Sequence, residues 1–566
     1  MMKNREIARL FDRIADALAL QGEIVFRINA YRKAARVIRD LTDDIEQLHS
    51  EERLREIPGI GEGIARKIEE YLTTGRMSKY EEVTRGIEED MLDLLAIQGL
   101  GPRTLKQAHD ELGVNSLEEL KKTLENGTLA RLHGMGKKKV ENIQRGIELF
   151  EKARGRIPLG VAFPIAQRIM EAMKPRRGLK KISAAGSLRR MTETVGDIDI
   201  LATGSKGEQI IKAFTQLPFV TDVLASGSTK GSVIIEGETQ VDLRVVKTAA
   251  YGAALQYFTG SKPHNVKLRT IARGRGLKLS EYGIFKDEKR IAGRSEEDMY
   301  RALELPWIPP ELREDRGEVE AAQAGRLPRL VGREELLGDL HVHTCYSDGD
   351  ATIAEMAASA KKVGLKYVAV CDHSKSAQYA GGIDEKALYR QIEEIDRLNK
   401  ELKGFRVLKG IEVDILKDGS LDFSDDVLEK LDIVVASIHS GFKQNVTERM
   451  IKAMQNEHVS VICHPTGRLI SRREGYDVDI DAVMSAAART GTALEINAYF
   501  DRLDLSDVNA RRAKEMGVRM AIGTDSHNVE TLWYITLGMG VARRGWLERE
   551  DLLNCLDAEH LARMRK

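Results

Sequence analysis

The chain has 566 residues, 42% hydrophobic and 31% charged, a composition that describes several globular cores and excludes a disordered chain or a single domain. No apolar run approaches the roughly 18 residues of a membrane span, and the amphipathic start MMKNREIARLFDRIADAL lacks the continuous apolar stretch of a secretory signal. Formal net charge is zero, but residues 161–310 carry a net +8, suited to a polyanion, and residues 311–566 a net −8, suited to metal ions.

Residues 1–150 show helical periodicity throughout and are predicted to be all-α. Within them PGIGEGIARKI (58–68), QGLGPRTLKQA (98–108) and HGMGKKKVENI (133–143) repeat a G-x-G ahead of a helix, their first glycines 40 and 35 residues apart. A G-x-G at a helix mouth lets backbone N–H groups approach a phosphate, and the helix end adds partial positive charge. One such motif often only caps a turn. Three, with Arg66, Lys67, Arg103, Lys106, Lys137 and Lys138 close behind, point to DNA-backbone binding at Gly59, Gly61, Gly99, Gly101, Gly134 and Gly136. They resemble helix-hairpin-helix motifs.

From about residue 157 short β-rich runs bounded by glycine and polar turns alternate with helical ones, an α+β pattern. Its strongest signal is GSLRRMTETVGDIDIL (186–201). Asp197 and Asp199 are two apart in a strand pattern, so both face one way. Carboxylates gathered on one face repel unless cations lie between them, and hard oxygen ligands suit Mg²⁺. Asp242, in TQVDLRVV, offers a third ligand for a two-metal phosphoryl-transfer site, and Gly186-Ser187 offers N–H groups and a hydroxyl to a polyphosphate.

Residues 305–335 hold Pro306, Pro309, Pro310 and Pro328 and read as a linker. After 336, apolar strands alternate with helices and end in polar residues, which predicts a parallel barrel with its site at the C-terminal rim. Of the 12 histidines, six fall in these strand-end motifs: His341, His343, His373, His439, His464 and His527. Asp348, Glu412 and Asp525 add carboxylates there. A mixed imidazole and carboxylate set suits Mn, Zn or Fe, and nine ligands suit a cluster of two or three ions. The four cysteines form no CxxC pair, which points to a reducing compartment, the cytoplasm, without disulfides.

GS-x-RR, GDIDIL, VDLRVV and YFTGS together resemble the polymerase β-like family X of DNA polymerases, over roughly residues 1–315. The resemblance implies that Asp197, Asp199 and Asp242 bind Mg²⁺ or Mn²⁺, with Asp242 also the base for the primer 3′-hydroxyl. It implies triphosphate contacts from Arg156, Gly186, Ser187, Arg190 and Gly196. Tyr257, Phe258, Thr259 and Gly260 match the segment that checks the incoming sugar, and Asn265 and Arg269 match contacts to the nascent pair. Lys262 stands where a well-known member of that family has an acid. NAYRKAARVI (29–38) and GEGIARKI (61–68) resemble the small lyase domain, with Lys67 at the Schiff-base position and Tyr31 beside it; Phe26 and Gly63 replace polar or basic pocket residues. Lys67 thus reads either as an abasic-site lyase nucleophile or as a phosphate contact.

Residues 336–566 resemble the PHP (polymerase and histidinol phosphatase) domain, with all nine ligand positions filled. The resemblance implies 3′→5′ exonuclease or related 3′-end processing at a Mn²⁺, Zn²⁺ or Fe²⁺ cluster, with endonuclease action a further possibility. The expected division is a lyase-like helical domain (1–80), a helix-hairpin-helix subdomain (81–156), a palm (157–245), a nascent-base-pair subdomain (246–315), a linker (316–335) and a distorted TIM-like α/β PHP barrel (336–566). The expected function is filling short gaps in base excision repair, as a monomer, on gapped or nicked double-stranded DNA with dNTPs and without a membrane. Two rivals are a nucleotidyltransferase for a non-DNA acceptor with an attached small-molecule phosphatase, and a non-catalytic DNA-end-binding scaffold. The two metal sets share no motif, so the two activities are expected to be separable.

Overall fold

The computed structural model describes residues 2–40, 45–57, 60–97, 99–153, 156–235 and 239–564. They fall into two compact units, residues 1–154 with 468–475, and residues 155–467 with 476–566. No helix among the described residues is long and apolar enough to cross a membrane.

Among the described residues of 1–154 every regular element is helical, as the periodicity predicts. Ile7, Phe11, Ile14 and Leu18 line one face of the helix Met2–Leu20 and join Ile38, Ile45, Ala65 and Ile68 in one core. Local signals set the ends: Ser116 and Glu119 form a capping box, Pro102 opens its helix, and Gly75 and Gly113 stop theirs in the left-handed region. The three G-x-G repeats share one turn. The apolar residue between each glycine pair (Ile60, Leu100, Met135) is a core residue, and its N–H donates to the carbonyl three residues back. Burying that residue leaves Gly61, Gly101 and Gly136 exposed at the mouths of their helices. Gly59 lies outside the described residues.

In the second unit, β1 (Leu179–Ala184), β2 (Ile198–Gly204), β3 (Val220–Ser226), β4 (Lys230–Ile235) and β5 (Thr239–Val246) form a sheet in the order β1-β2-β5-β4-β3. β2 and β5 run parallel, with Ile198, Ile200, Val241 and Leu243 buried. A second sheet of β6 (Leu277–Ser280), β7 (Gly283–Lys286) and β8 (Lys289–Ala292) packs on a core of Leu268, Ile284, Met299, Tyr300 and Leu312.

The barrel is β9 (Gly338–Val342), β10 (Tyr367–Val370), β11 (Arg406–Asp414), β12 (Ile433–Ser437), β13 (Val461–Ile462), β14 (Ala493–Asn497) and β15 (Met520–Gly523), all parallel and in sequence order. It has seven strands rather than the eight of a TIM barrel. The first and last strands meet at their C-terminal ends, where Asp525 N–H donates to His341 O (2.9 Å) and His343 N–H to Ser526 O (2.8 Å).

The proline-bearing stretch read as a linker is ordered and packed. It contains the helix Glu318–Gln323, buries Arg313 and Val319 completely or nearly so, and bonds Val331 N–H to Leu547 O of the barrel. The palm also touches the barrel directly. A Cβ on Gly160 would stand 2.5 Å from Phe500 Cβ, and Phe163 stacks on Trp533 with 6.1 Å between ring centroids. The separability expected for the two chemistries therefore does not extend to the two folds, which are buried against each other.

Candidate active sites

The palm site is set by strand register. Asp199 on β2 lies opposite Asp242 on β5, and Asp197 precedes β2 by one residue. Burial, then the charges of Asp197 and Asp242, push the Asp199 carboxyl up to about 6. Burial opposes ionisation of Asp242 as well, but Lys230, Ser232 and Gln240 outweigh it and hold that carboxyl below its ordinary range. Lys230 Nζ lies 2.7 Å from Asp242 Oδ2, Gln240 Nε2 donates to Oδ1 at 3.1 Å, and Ser232 Oγ donates to Oδ1. Three oxygen-donor carboxylates, one of them held up by the charge of the other two, fit a hard divalent cation.

The turn before β2 carries the polyphosphate candidates. Gly186 has φ 59° and is buried, and a Cβ there would stand 2.4 Å from Asp199 Oδ2, so only glycine lets this turn lie on the carboxylate. Ser187 and Arg190 follow within one short helical turn. Arg156 Nε and Nη2 donate to Thr194 Oγ1 (2.8 Å) and O (2.6 Å), which places the guanidinium beside exposed Gly196.

The segment 257–269 is bound to this turn. Arg190 Nη1 donates to Thr259 O at 2.6 Å, and Arg189 Nη1 to Thr259 Oγ1 at 2.6 Å. A Cβ on Gly260 would lie 3.3 Å from Arg190 Nη1. Asn265 donates to Tyr257 O at 2.8 Å and accepts from Gln256, and the Arg269 guanidinium lies 5.2 Å from the Tyr257 ring. Tyr257 and Phe258 meet edge to face. Lys262 is exposed at the start of the following helix.

No motif in the sequence announces the clamp that joins these pieces. Glu296 Oε1 and Oε2 accept from Arg189 at 2.8 and 2.7 Å, and Oε1 also accepts from Arg313 Nη1 at 2.6 Å. Burial opposes the charge of Glu296, but Arg313 and Arg189 lower its carboxyl to about 2.

In the helical unit Lys67 is half-buried, its Nζ 2.8 Å from Gly63 O and 5.8 Å from the Tyr31 ring centre. Burial, then Lys79 and Arg66, lower its amine from the ordinary range.

All nine barrel candidates converge at the C-terminal rim, in overlapping groups whose ligand atoms lie within 4.8 Å of one another: His343, Asp348, His373 and His527; His341, His343 and Glu412; His373, Glu412 and His439; Glu412, Cys463 and His464. Asp525 Oδ1 is 3.1 Å from His343 Nε2. Burial opposes ionisation of Glu412, but His373, His439 and His341 hold it well below its ordinary range. His439 is pushed up to about 10, because Glu412 and Asp414 outweigh its burial, whereas burial, His527 and His373 lower His343 to about 3. His341 Nε2 and His343 Nε2 face each other at 3.1 Å, and the buried Nδ1 atoms of His343 and His464 have no hydrogen-bond partner among the described residues. Facing ring nitrogens and orphaned imidazole donors fit metal ions. His464 (φ 29°) and Asp525 (φ 55°) hold left-handed backbone without being glycine, strain concentrated at this rim.

Three residues at this rim went unnoticed in the sequence. Glu495 accepts from His341 Nδ1 at 2.7 Å, Asp414 from His439 Nδ1 at 2.6 Å, and Cys463 Sγ donates to Glu412 Oε1 at 3.1 Å. Carboxylates of this kind fix the tautomer and direction of a ligating imidazole. Asp414 stands two residues after Glu412 on β11, so same-face spacing could have found it. All four cysteines are free.

Residues 254–314 match the model of the DNA polymerase beta thumb, and 339–498 match the PHP domain. Residues 2–77 match a helix-hairpin-helix domain and 91–148 a SAM-like helix-hairpin-helix tandem. The DNA polymerase/3′-5′ exonuclease PolX of Bacillus subtilis (strain 168) is 41% identical over 560 residues, 98% of this chain and 97% of that protein. A probable phosphatase of Thermoanaerobacter sp. (strain X514) is 34% identical over 208 residues, 34% of this chain and 80% of its own. Another, of Shewanella sediminis (strain HAW-EB3), is 31% identical over 231 residues, 38% of this chain and 89% of its own. With near full-length identity, a helix-hairpin-helix region, a carboxylate-bearing palm and a histidine-lined barrel, the chain belongs to the family X DNA polymerases that carry a PHP domain.

Proposed function

We propose that the chain is a DNA polymerase and 3′-5′ exonuclease that fills short gaps in damaged DNA and trims 3′ ends, drawing on dNTPs and gapped or nicked duplex. The observation that carries this reading is the coexistence in one chain of the register-paired Asp199 and Asp242 with a nine-ligand rim. Asp242, ionised beside Lys230, is the acceptor for the primer 3′-hydroxyl proton. Gly186, Ser187, Arg156, Gly196 and Arg190 hold the triphosphate, and Tyr257, Phe258, Thr259 and Gly260 form the wall against the sugar. Asn265 holds Tyr257 by its carbonyl, and Arg269 lies over the same ring. The exposed G-x-G mouths at Gly61, Gly101 and Gly136 receive DNA phosphates.

Divalent ions, Mg²⁺ or Mn²⁺ between the palm carboxylates and Mn²⁺, Zn²⁺ or Fe²⁺ at the rim, would supply charge neutralisation and an activated water. At the rim, Glu495 and Asp414 keep His341 and His439 aimed inward. We place the enzyme in the reducing cytoplasm, a reading supported by its four free cysteines, and take it to act as a monomer.

The test is a labelled primer on one-nucleotide-gapped DNA with Mn²⁺, with and without dNTPs. Extension with dNTPs and shortening without them is expected. Neither outcome would leave a DNA-end scaffold, and a product formed only on a non-DNA acceptor would leave the nucleotidyltransferase reading.

A further inference from the structure

Outside the two metal sites, a nearly buried cluster of charge lies where the barrel helix Ile535–Arg544 meets the palm turn at Arg190. Arg544 is 8% exposed. Its Nη1 donates to the backbone oxygen of Arg190 (2.8 Å) and to Glu314 Oε1 (2.9 Å). Its Nε and Nη2 reach Asp507 Oδ2 at 3.0 and 2.8 Å. Glu314 Oε1 also accepts from Arg190 Nε at 2.9 Å. Asp507 also pairs with Arg316 Nη1 at 2.9 Å. The backbones are fitted to this contact. Met191 takes φ 56°, and a Cβ on Gly540 would stand 2.7 Å from Met191 Cε.

Two consequences follow for Arg190. Its guanidinium is fixed at Nε by Glu314 and at Nη1 by Thr259 O, which leaves Nη2 as the donor nitrogen without a partner among the described residues. Its charge is also conserved. With Glu314 alone beside it, Arg190 would be neutralised as a closed ion pair. Arg544 draws on the same carboxylate oxygen, so three arginines share two acids and positive charge is left over beside the palm carboxylates.

We propose that Arg544, a residue of the barrel, is a positioning residue for the nucleotide site of the palm: it holds Arg190 through Glu314 and through the Arg190 carbonyl, and keeps Glu314 from cancelling the charge that the triphosphate needs. This rests on the reading of Arg190 as a triphosphate contact. The coupling runs from barrel to palm, and none of the partners of Arg544 named above belongs to the rim cluster.

The experiment is single-nucleotide insertion into gapped DNA by the full chain with Mg²⁺, alongside Mn²⁺-dependent shortening of a single-stranded 3′ end and thermal melting. Arg544→Gln is expected to raise the dNTP KM about tenfold with kcat changed less than about twofold, and to leave 3′-end shortening intact. In an Arg190→Ala background the same change should add nothing, the signature of two residues acting as one unit. Asp507→Asn, which loosens Arg544 but spares its charge, should raise KM by less, and decides the matter if Arg544→Gln does not fold. If Arg190→Ala leaves the dNTP KM unchanged, the reading of Arg190 fails. If Arg190→Ala raises KM while Arg544→Gln and Asp507→Asn do not, only the positioning role fails. A parallel fall in both activities and in melting temperature would reduce Arg544 to an ordinary structural residue.

Discussion

Asp242 joins three partners on its carboxylate and faces Asp199 across one strand pair, so it has no substitute in the palm. Asp242→Ala is expected to cut nucleotide addition at least about a hundredfold while gapped-DNA affinity stays within a few-fold; extension within tenfold of wild type would remove Asp242 from the chemistry. Lys67 poses a sharper question, because its lowered amine suits a nucleophile whereas its place behind the first G-x-G suits a phosphate contact. Borohydride trapping on incised abasic DNA should yield an adduct that Lys67→Ala abolishes. An adduct that survives in the variant would assign the chemistry to another amine. Glu296 makes a prediction about pH. Its folded carboxyl lies near 2 against an ordinary 4.5, so its contribution is complete above about pH 4.5 and is lost as pH falls towards 2. Glu296→Gln leaves Arg313 buried without its charge and should cost about 3–5 kcal/mol at neutral pH. The gap in melting temperature between variant and wild type should therefore narrow as the solution is acidified through that window.

At the scale of elements, the turn from Ala185 to Arg190 owes its shape to one glycine. Gly186→Ala would drive a methyl into Asp199 Oδ2, so nucleotide addition should fall by about tenfold or more with 3′-end hydrolysis unchanged. Equal loss of both activities would show that the turn supports the fold rather than the site. This is also the scale at which the sequence was most readable. Strand periodicity placed Asp199 and Asp242, the D-I-D spacing brought in Asp197, and strand-end histidines marked the rim, because ligands on β-strands must recur at a period of two or close each strand. What stayed hidden was pairing between distant segments. Nothing near Glu296 announces Arg189, 107 residues earlier, and nothing near Arg190 announces Arg544, 354 residues later. Glu495 and Cys463 were missed for a related reason: Glu495 stands within the apolar strand β14 and Cys463 directly after the apolar strand β13, and both read as core until the barrel closes on them.

Across the whole molecule, the proline-rich stretch shows how composition misleads. Pro309 and Pro310 lie in the stretch that reads as a linker, yet they introduce a short turn after which Arg313 is buried against Glu296, Tyr300 and Trp307 of the thumb. The two chemistries are expected to be separable even so. His343→Ala should abolish 3′-end hydrolysis while nucleotide addition persists, whereas Asp199→Ala should do the reverse; nuclease lost with Asp199 but kept without His343 would move hydrolysis into the palm. Packing of the two folds against each other has a consequence for light as well as for catalysis. The chain has three tryptophans, and each sits at a seam. Trp307 donates to the Glu296 clamp at 3.2 Å, Trp533 lies on Phe163 of the palm, and Trp546 of the barrel packs against the thumb core beneath Arg511. Tryptophan fluorescence of this protein, excited selectively, is thus emitted from its junctions, and a shift in emission wavelength should report palm, thumb and barrel parting before any of the three has lost its own strands.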